Sequence, residues 1–269
     1  MALGIALIVG WRLKLSATVS LLMMLFFTFL TYYSWYFDAV QDCGCFGDAI
    51  KLTPYQSFMK DIILTIALLP ILAYAFLTQE GRQEKNTPLQ GILSIGSFVL
   101  FGAFSVWCYQ HLPPIDFRPY RIGADMYECT TPLPENDFEP HCHDYAPIGM
   151  VCGEGDMYAE FHGSVLIIVS NNLKDADEDD VTAAVELANA LTQPGDPKVF
   201  GFTATGTDDL AEVTSQFNIP FCQAQGDQTV TKTIIRSNPG YLLLKDGIVI
   251  DKWHHNDIPT AEDIRKTLN

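Results

Sequence analysis

Three long apolar runs dominate the first 112 residues of the chain. They cover residues 15–37, residues 61–77 together with 55–60 before them, and residues 89–112. A run of about 20 apolar residues is long enough to cross the hydrocarbon of a bilayer as a helix. The sequence therefore predicts three membrane-spanning helices, and we expect Pro70 to kink the second one.

The first ten residues, MALGIALIVG, are apolar but too short to span a membrane. We interpret them as the last turns of a helix that begins before Met1, which would make the chain a fragment. The short loop with Arg12 and Lys14 and the one with Arg82 and Lys85 are predicted to be cytoplasmic. The loop after the first span and everything after residue 112 are then predicted to be extracytoplasmic.

Residues after 112 have the pattern of a water-exposed domain. The proline-rich segment HLPPIDFRPYRIG is predicted to be an extended tether, followed by an irregular lead-in to residue 162. Short buried strands then alternate with amphipathic helices, and Asp246-Gly247 predicts the turn of a hairpin. The predicted elements are strands at 163–170 and 198–205, helices at 175–193 and 207–218 with Thr207 as N-cap, a hairpin at 240–255, and a helix at 260–269.

The predicted fold class is a membrane α-helical bundle followed by a soluble α/β domain. The bundle has three full spans plus a partial N-terminal one and covers residues 1–112. The tether and lead-in cover 113–162, and the α/β domain covers 163–269.

Charge is distributed unevenly between the two halves. Residues 1–115 have as many acids as bases, so the whole net charge of −16 belongs to the residues that follow. Nucleic acids and anionic lipid headgroups both need a basic surface. The charge therefore argues against both as partners of the C-terminal half.

Cys43 and Cys45 are the main candidates for chemistry. They are separated by one glycine, at the point where the first span ends and the chain leaves the bilayer. A Cys-Gly-Cys disulfide closes a small ring, and strained, exposed disulfides are the easily reduced kind. Three interpretations stay open from the residues alone: a redox pair, a structural role, and metal ligation together with further partners.

Other polar residues have simpler explanations. Cys129, Cys142, Cys152 and Cys222 are interpreted as structural bridges or buried small side chains, in a compartment where disulfides persist. Cys142 lies between two histidines in PHCHDY, which suits zinc or copper, but alternate strand residues point to opposite faces, so no metal site is assigned. We interpret Lys60-Asp61 as an interfacial pair rather than a proton relay, and His254 and His255 as surface residues.

The C-terminal domain resembles thioredoxin-like proteins. The segment SNPGYLLLKDGIVIDKWHH is similar to the part of that fold where a cis-proline precedes the last hairpin, which implies that Pro239 is the cis-proline. Thioredoxins hold Cys-x-x-Cys after the first central strand, but here that position reads VSNNLKDADED. The resemblance thus implies a domain that positions a client protein and does not itself exchange thiols.

The membrane half resembles DoxX-like and MauE-like proteins over about residues 1–110. The resemblance is specific at CGCFGD and continues through SFMKD at the head of the next helix. It implies a membrane protein in disulfide formation or an oxidative-stress complex, with Cys43 and Cys45 as the candidate redox pair, whereas Pro239 is the candidate site residue of the thioredoxin-like domain. Vitamin K epoxide reductase, which this bundle also resembles, couples lumenal thiols to a quinone, so a quinone is the one cofactor the resemblance implies; the residues themselves indicate none.

These observations predict a bacterial inner-membrane protein with an extracytoplasmic role in thiol–disulfide redox chemistry. Its expected partners are the lipid bilayer and proteins on the extracytoplasmic side, and nucleic acid is not expected. The alternative is a non-catalytic assembly subunit, in which the bundle anchors a recognition domain within an envelope complex. The missing Cys-x-x-Cys favours the alternative, whereas the Cys-Gly-Cys pair favours the redox role.

Overall fold

The computed structural model describes residues 1–37, 52–77, 87–118, 120–126, 150–151, 158–159 and 161–268. The chain divides into two compact units, Met1–Trp107 and Cys108–Asn269.

The described residues of the first unit form four helices. They are α1 (Ala2–Val9), α2 (Leu13–Tyr36), α3 (Pro54–Leu77) and α4 (Pro88–Gln110), the last of which ends in the second unit. Helices α2, α3 and α4 are long and apolar enough to cross a membrane, as the hydrophobic runs predicted. The first ten residues are helical as expected, and α1 ends at Gly10, whose φ of 76° is a left-handed C-cap.

Small and polar side chains mediate the packing of α2 against α3. The buried positions of α2 are Ser16, Ala17, Ser20 and Thr31, and those of α3 are Ser57, Asp61, Leu68 and Ala75. The large apolar side chains of these helices, such as Phe26 and Ile63, are exposed. This arrangement is typical of membrane helices, because lipid already solvates the large side chains and small residues let the helices approach closely.

In the described part of the second unit, five strands form a mixed sheet. A two-stranded ribbon, β1 (Met150–Val151) and β2 (Tyr158–Ala159), precedes it. The sheet has the order β5-β4-β3-β6-β7, in which β3, β4 and β5 are parallel, while β6 is antiparallel to β3 and β7. The strands are β3 (Ser164–Ser170), β4 (Lys198–Thr203), β5 (Cys222–Gln225), β6 (Gly240–Lys245) and β7 (Ile248–His254).

The α-helices that accompany the sheet in the described part of this unit are α5 (Glu178–Ala190), α6 (Thr207–Phe217), α7 (Gln228–Ile234) and α8 (Ala261–Leu268). The predicted hairpin is present, and both residues of its Asp246-Gly247 turn have positive φ, 50° and 82°. Strand β5 and helix α7 were not predicted, because four residues reading CQAQ and a seven-residue helix give no clear periodicity. The N-cap of α6 is Gly206, not Thr207, and it makes no side-chain cap hydrogen bond.

The sheet is buried on both faces. Val165, Ile167 and Val169 of β3 pack into one core cluster, and Leu166 and Ile168 pack into the other, against α5 and α8. This double burial explains why β3 is a continuous apolar run rather than an alternating one.

The predicted tether differs from the structure, since its residues fold onto the sheet. Tyr120 and Met126 are completely buried in the core cluster that contains Val165. Gly123 N donates to Val249 O at 2.7 Å, and Met126 N donates to Gly247 O at 2.8 Å. Burial of a tyrosine and a methionine stabilises this segment enough to order it, although its prolines prevent regular structure.

Candidate functional site

One of the three predicted site residues lies among the residues that the structure describes. Cys43 and Cys45 lie outside the described residues, as do Cys129, Cys142 and Cys152. Pro239 is described, and the Asn238–Pro239 peptide bond is cis. Its role in a functional site stays a prediction.

Aromatic rings join the two helix ends between which Cys43 and Cys45 lie in the sequence. Trp35 near the end of α2 stacks on Phe58 of α3, with ring centroids 5.6 Å apart, and also contacts Tyr55 at 5.4 Å. Tyr32 approaches Phe58 at 5.5 Å. Such ring pairs add to the burial energy, so they hold the end of α2 beside the beginning of α3.

Asp61 is a buried acid between α2 and α3. Thr31 Oγ1 of α2 donates to Asp61 Oδ2 at 3.1 Å, and Lys60 Nζ is 3.3 Å from Asp61 Oδ1. The ion pair expected for Lys60-Asp61 is therefore present, but the carboxylate is only 4% exposed. A buried carboxylate needs partners of this kind, and the hydrogen bond between Thr31 and Asp61 joins the two helices.

Asn238 fastens the loop before β6 to the end of β3. Its side-chain Oδ1 accepts from Asn171 N at 3.0 Å and contacts Ser170 Oγ, while its Nδ2 donates to Asn172 O at 2.8 Å. Amide and hydroxyl hydrogen bonds thus join the end of β3 and the residues after it to the segment that contains the cis-proline. These groups bind by hydrogen bonds and have no thiol chemistry.

Ser237, which lies in the same loop before β6, forms a hydrogen-bonded pair with His255. Ser237 Oγ donates to Pro239 O, accepts from His255 N at 2.9 Å and lies 3.0 Å from His255 Nδ1. His255 Nε2 is 3.8 Å from a carboxylate oxygen of Asp180. Although the order serine, histidine, aspartate resembles a hydrolase triad, Ser237 is buried and its proton is used by a backbone carbonyl, so its role here is structural.

His254 corrects the prediction that both histidines are surface residues. It is 2% exposed, its ring centroid lies 4.0 Å from that of His255, and its Nδ1 accepts from Asn256 N at 3.3 Å. Burial, followed by the charge of His255, lowers the pKa of His254 to about 4. His254 is a neutral core residue at neutral pH.

The described cysteines differ from one another. Cys222, the first residue of β5, is disulfide-bonded, and its bonding partner lies outside the described residues. Cys108 near the end of α4 is a free, half-buried thiol. Across the described ranges, no group of three or more His, Cys, Asp or Glu could hold a metal ion; the PHCHDY segment lies outside them.

Sequence reasoning missed a cationic cavity of about 370 Å³ in the second unit. It is lined by residues 112–116, 118, 121–122, 235–236 and 252. Its basic residues are scattered along the chain, so only folding brings them together.

Comparison with known protein families identifies a relative of the membrane half. Residues 1–77 match the family described as Methylamine utilisation protein MauE. Over this part, the chain is similar to MauE. The match covers α1, α2, α3 and the intervening segment that contains Cys43 and Cys45. Together with the three apolar helices, it supports a MauE-like membrane protein. No curated protein matches the chain.

Proposed function

We propose that this protein takes part in thiol–disulfide exchange on the extracytoplasmic side of the bacterial inner membrane, with Cys43 and Cys45 as the redox couple. The observation that carries the proposal is the MauE match, which includes both cysteines and the two helices that bracket them. The aromatic contacts between Trp35, Tyr55 and Phe58 support it, because they hold both ends of the cysteine segment together.

The thiol–disulfide exchange needs only two thiols of the client protein and the Cys43–Cys45 disulfide. A thiolate of the client protein attacks one sulfur of the Cys43–Cys45 disulfide, which gives a mixed disulfide and one free thiolate. A second client thiolate then attacks the mixed disulfide. The client leaves as a disulfide, and Cys43 and Cys45 remain as a dithiol that has taken up two electrons and two protons.

A quinone is the electron acceptor that the family resemblance implies. Its oxygens would need buried polar groups, and the hydroxyls of Ser34 and Ser57 are buried without a hydrogen-bond partner in the described parts of α2 and α3. These two residues fit that role. When bound, a quinone would accept the two electrons and two protons of the dithiol.

The disulfide at Cys222 supports an extracytoplasmic location for the sheet domain. Structural disulfides form and persist in oxidising spaces such as the periplasm and are rare in the cytosol. Because Cys222 belongs to the sheet domain, its disulfide favours an extracytoplasmic domain, in agreement with the basic residues of the predicted cytoplasmic loops.

We further propose that the sheet domain is thioredoxin-like and positions the client. The sheet order β5-β4-β3-β6-β7 and the cis-proline before β6 support this assignment. Strand β3 ends at Ser170 and is followed by Asn171 and Asn172, so the domain would contribute recognition without thiol exchange. The same observation favours the second candidate function, a non-catalytic subunit that anchors an envelope complex.

A redox titration distinguishes the two candidates. The purified full-length protein is equilibrated across glutathione ratios, alkylated and mapped by mass spectrometry. We expect a Cys43–Cys45 disulfide that titrates, and a trapped mixed disulfide when Cys43→Ser or Cys45→Ser is tested. Cys108→Ser is the control and should leave the titration unchanged, since Cys108 is a separate free thiol. Thiols that stay reduced at every ratio, or that are bonded elsewhere, would favour the assembly role.

A further inference from the structure

Positive charge in the acidic second unit is concentrated around one cavity. Only ten Lys and Arg residues follow residue 115, against 26 acids. Four of those ten, Arg118, Arg121, Arg236 and Lys252, line the cavity of about 370 Å³, and Asp116 is the one acid among the described residues that line it. The local charge is therefore opposite in sign to that of the whole domain.

Two of the four cations build the cavity wall. Lys252 Nζ lies 2.7 Å from Asp116 Oδ2 and donates to Ile234 O at 2.7 Å, and its side chain is 4% exposed. Arg118 Nη1 donates to Lys232 O at 3.0 Å, in the last turn of α7, where a cation is favoured by the helix dipole. Burial tends to raise the pKa of Asp116, but the Lys252 charge and hydrogen bond outweigh it and lower that pKa. Asp116 therefore stays ionised and neutralises Lys252.

The other two cations are available to a ligand. Arg121 and Arg236 are both exposed and line the same cavity. Among the described residues, neither guanidinium has a hydrogen-bond or salt-bridge partner. Guanidinium groups bind phosphate oxygens through paired, charge-assisted hydrogen bonds, which makes a phosphate the best-matched anion.

Exposed apolar side chains collect at the same place. After residue 110, the large hydrophobic residues exposed in the described parts of the chain are Ile115, Phe117, Ile122 and Ile248. Three of these four lie within eight residues of one another, and Ile115 and Ile122 line the cavity. A cavity with cations inside and apolar residues at its edge matches a ligand that has both a phosphate and a hydrocarbon part.

The position of this segment in the chain indicates which ligand that is. Leu112, the first lining residue, comes two residues after the end of α4, and two residues span at most about 7 Å. Where α4 crosses the membrane, the cavity wall must therefore begin close to the lipid headgroups. We propose that this cavity binds the phosphate headgroup of an anionic membrane lipid, with Arg121 and Arg236 on the phosphate and Ile115 and Ile122 toward the acyl chains.

This proposal modifies the expectation that anionic lipids are excluded as partners. The net charge of −16 describes the average surface. A headgroup senses mainly the charges within about a Debye length, roughly 8–10 Å, and the described residues that line this cavity include four cations and one acid. The inference involves no cysteine, so it stands or falls independently of the proposed redox role.

Lipid binding can be measured by native mass spectrometry of the full-length protein, delipidated in a neutral detergent. Dioleoyl-phosphatidylglycerol, dioleoyl-phosphatidylcholine and glycerol phosphate are the three probes. We expect phosphatidylglycerol to bind at least about tenfold more tightly than phosphatidylcholine, and Arg121→Gln/Arg236→Gln to remove that preference. The matched control, Lys198→Gln/Lys266→Gln, removes the same charge from exposed positions outside the cavity and should keep the preference.

A second variant separates a lipid from a free phosphate. Ile115→Ser/Ile122→Ser should weaken binding of phosphatidylglycerol severalfold and leave glycerol phosphate unaffected, because only the lipid has acyl chains to lose. Equal phosphatidylglycerol binding by the arginine variant and the lysine control would overturn the proposal. Binding of glycerol phosphate as tight as that of the lipid would also overturn it, because the cavity would then be a site for a soluble phosphate.

Discussion

At the scale of single residues, His254 shows how burial can turn an ionisable group into a neutral one. It lies in the core at the end of β7, and its pKa is lowered to about 4. The unfolded chain would bind a proton at this position near the ordinary value of 6.5. Because the folded-state pKa is the lower of the two, the unfolded state gains protons first as the pH falls. The folded state is therefore favoured above pH 6.5 and loses stability between 6.5 and 4.

We expect the sheet domain to lose about 1–2 kcal/mol of unfolding free energy through His254 when the pH falls from 7 to 5. Calorimetry of the full-length protein in detergent should show the domain's transition roughly 3–6 °C lower at pH 5 than at pH 7. His254→Phe should reduce this difference, because phenylalanine does not titrate. His162→Gln, at an exposed position, should retain it. An unchanged pH dependence in His254→Phe would contradict the assignment.

At the scale of elements, two glycines in and beside the neighbouring strands β4 and β5 have different constraints. A Cβ at Gly226, just after β5, would overlap the ring of Phe202, a buried residue of β4. A Cβ at Gly201 would meet only the amide end of Gln223, a side chain that can rotate away. Neither glycine has a positive φ, so the difference between them is one of packing.

Gly226→Ala should therefore destabilise the sheet domain by about 2 kcal/mol, since the Phe202 ring has to move within a packed core. Gly201→Ala should cost less than about 1 kcal/mol. Calorimetry measures the unfolding temperature of the sheet domain in both variants, and each alanine variant is the control for the other. If both variants lost the same amount of stability, the contact with Phe202 would not be the reason why position 226 requires glycine.

At the scale of the whole molecule, the short basic loops and the disulfide at Cys222 point to one topology. The loops with Arg12 and Arg82 are expected on the cytoplasmic side, whereas the sheet domain and the segment with Cys43 and Cys45 are expected outside. Alkaline phosphatase folds into an active enzyme only outside the cytoplasm, because it needs its own disulfides.

A phosphatase fused after Asn269 should therefore be active in intact bacteria, and one inserted within residues 81–86 should be inactive. Green fluorescent protein at the same two positions is the control, since it fluoresces in the cytoplasm and should give the opposite result. An inactive C-terminal phosphatase with a fluorescent C-terminal fusion would reverse the topology, and would remove the Cys43–Cys45 pair from the oxidising compartment.

The elements that sequence alone identified are those set by strong local patterns. Long apolar runs predicted α2, α3 and α4, because the hydrocarbon of a membrane requires that length of apolar helix. A continuous apolar run predicted β3, and Asp246-Gly247 predicted the β6–β7 turn, since both residues accept positive φ. The MauE resemblance was likewise visible in the residues around CGCFGD and agrees with the family match.

Tertiary structure decided the features that depend on residues far apart in the chain. Strand β5 has no pattern of its own and exists because β4 offers it a hydrogen-bonding edge. Tyr120 of the predicted tether and Met126 of the predicted lead-in became part of the core, because burying their apolar surface stabilises the folded state. The cationic cavity could not be read from composition, since Arg121, Arg236 and Lys252 come from three separate segments that only the fold brings to one place.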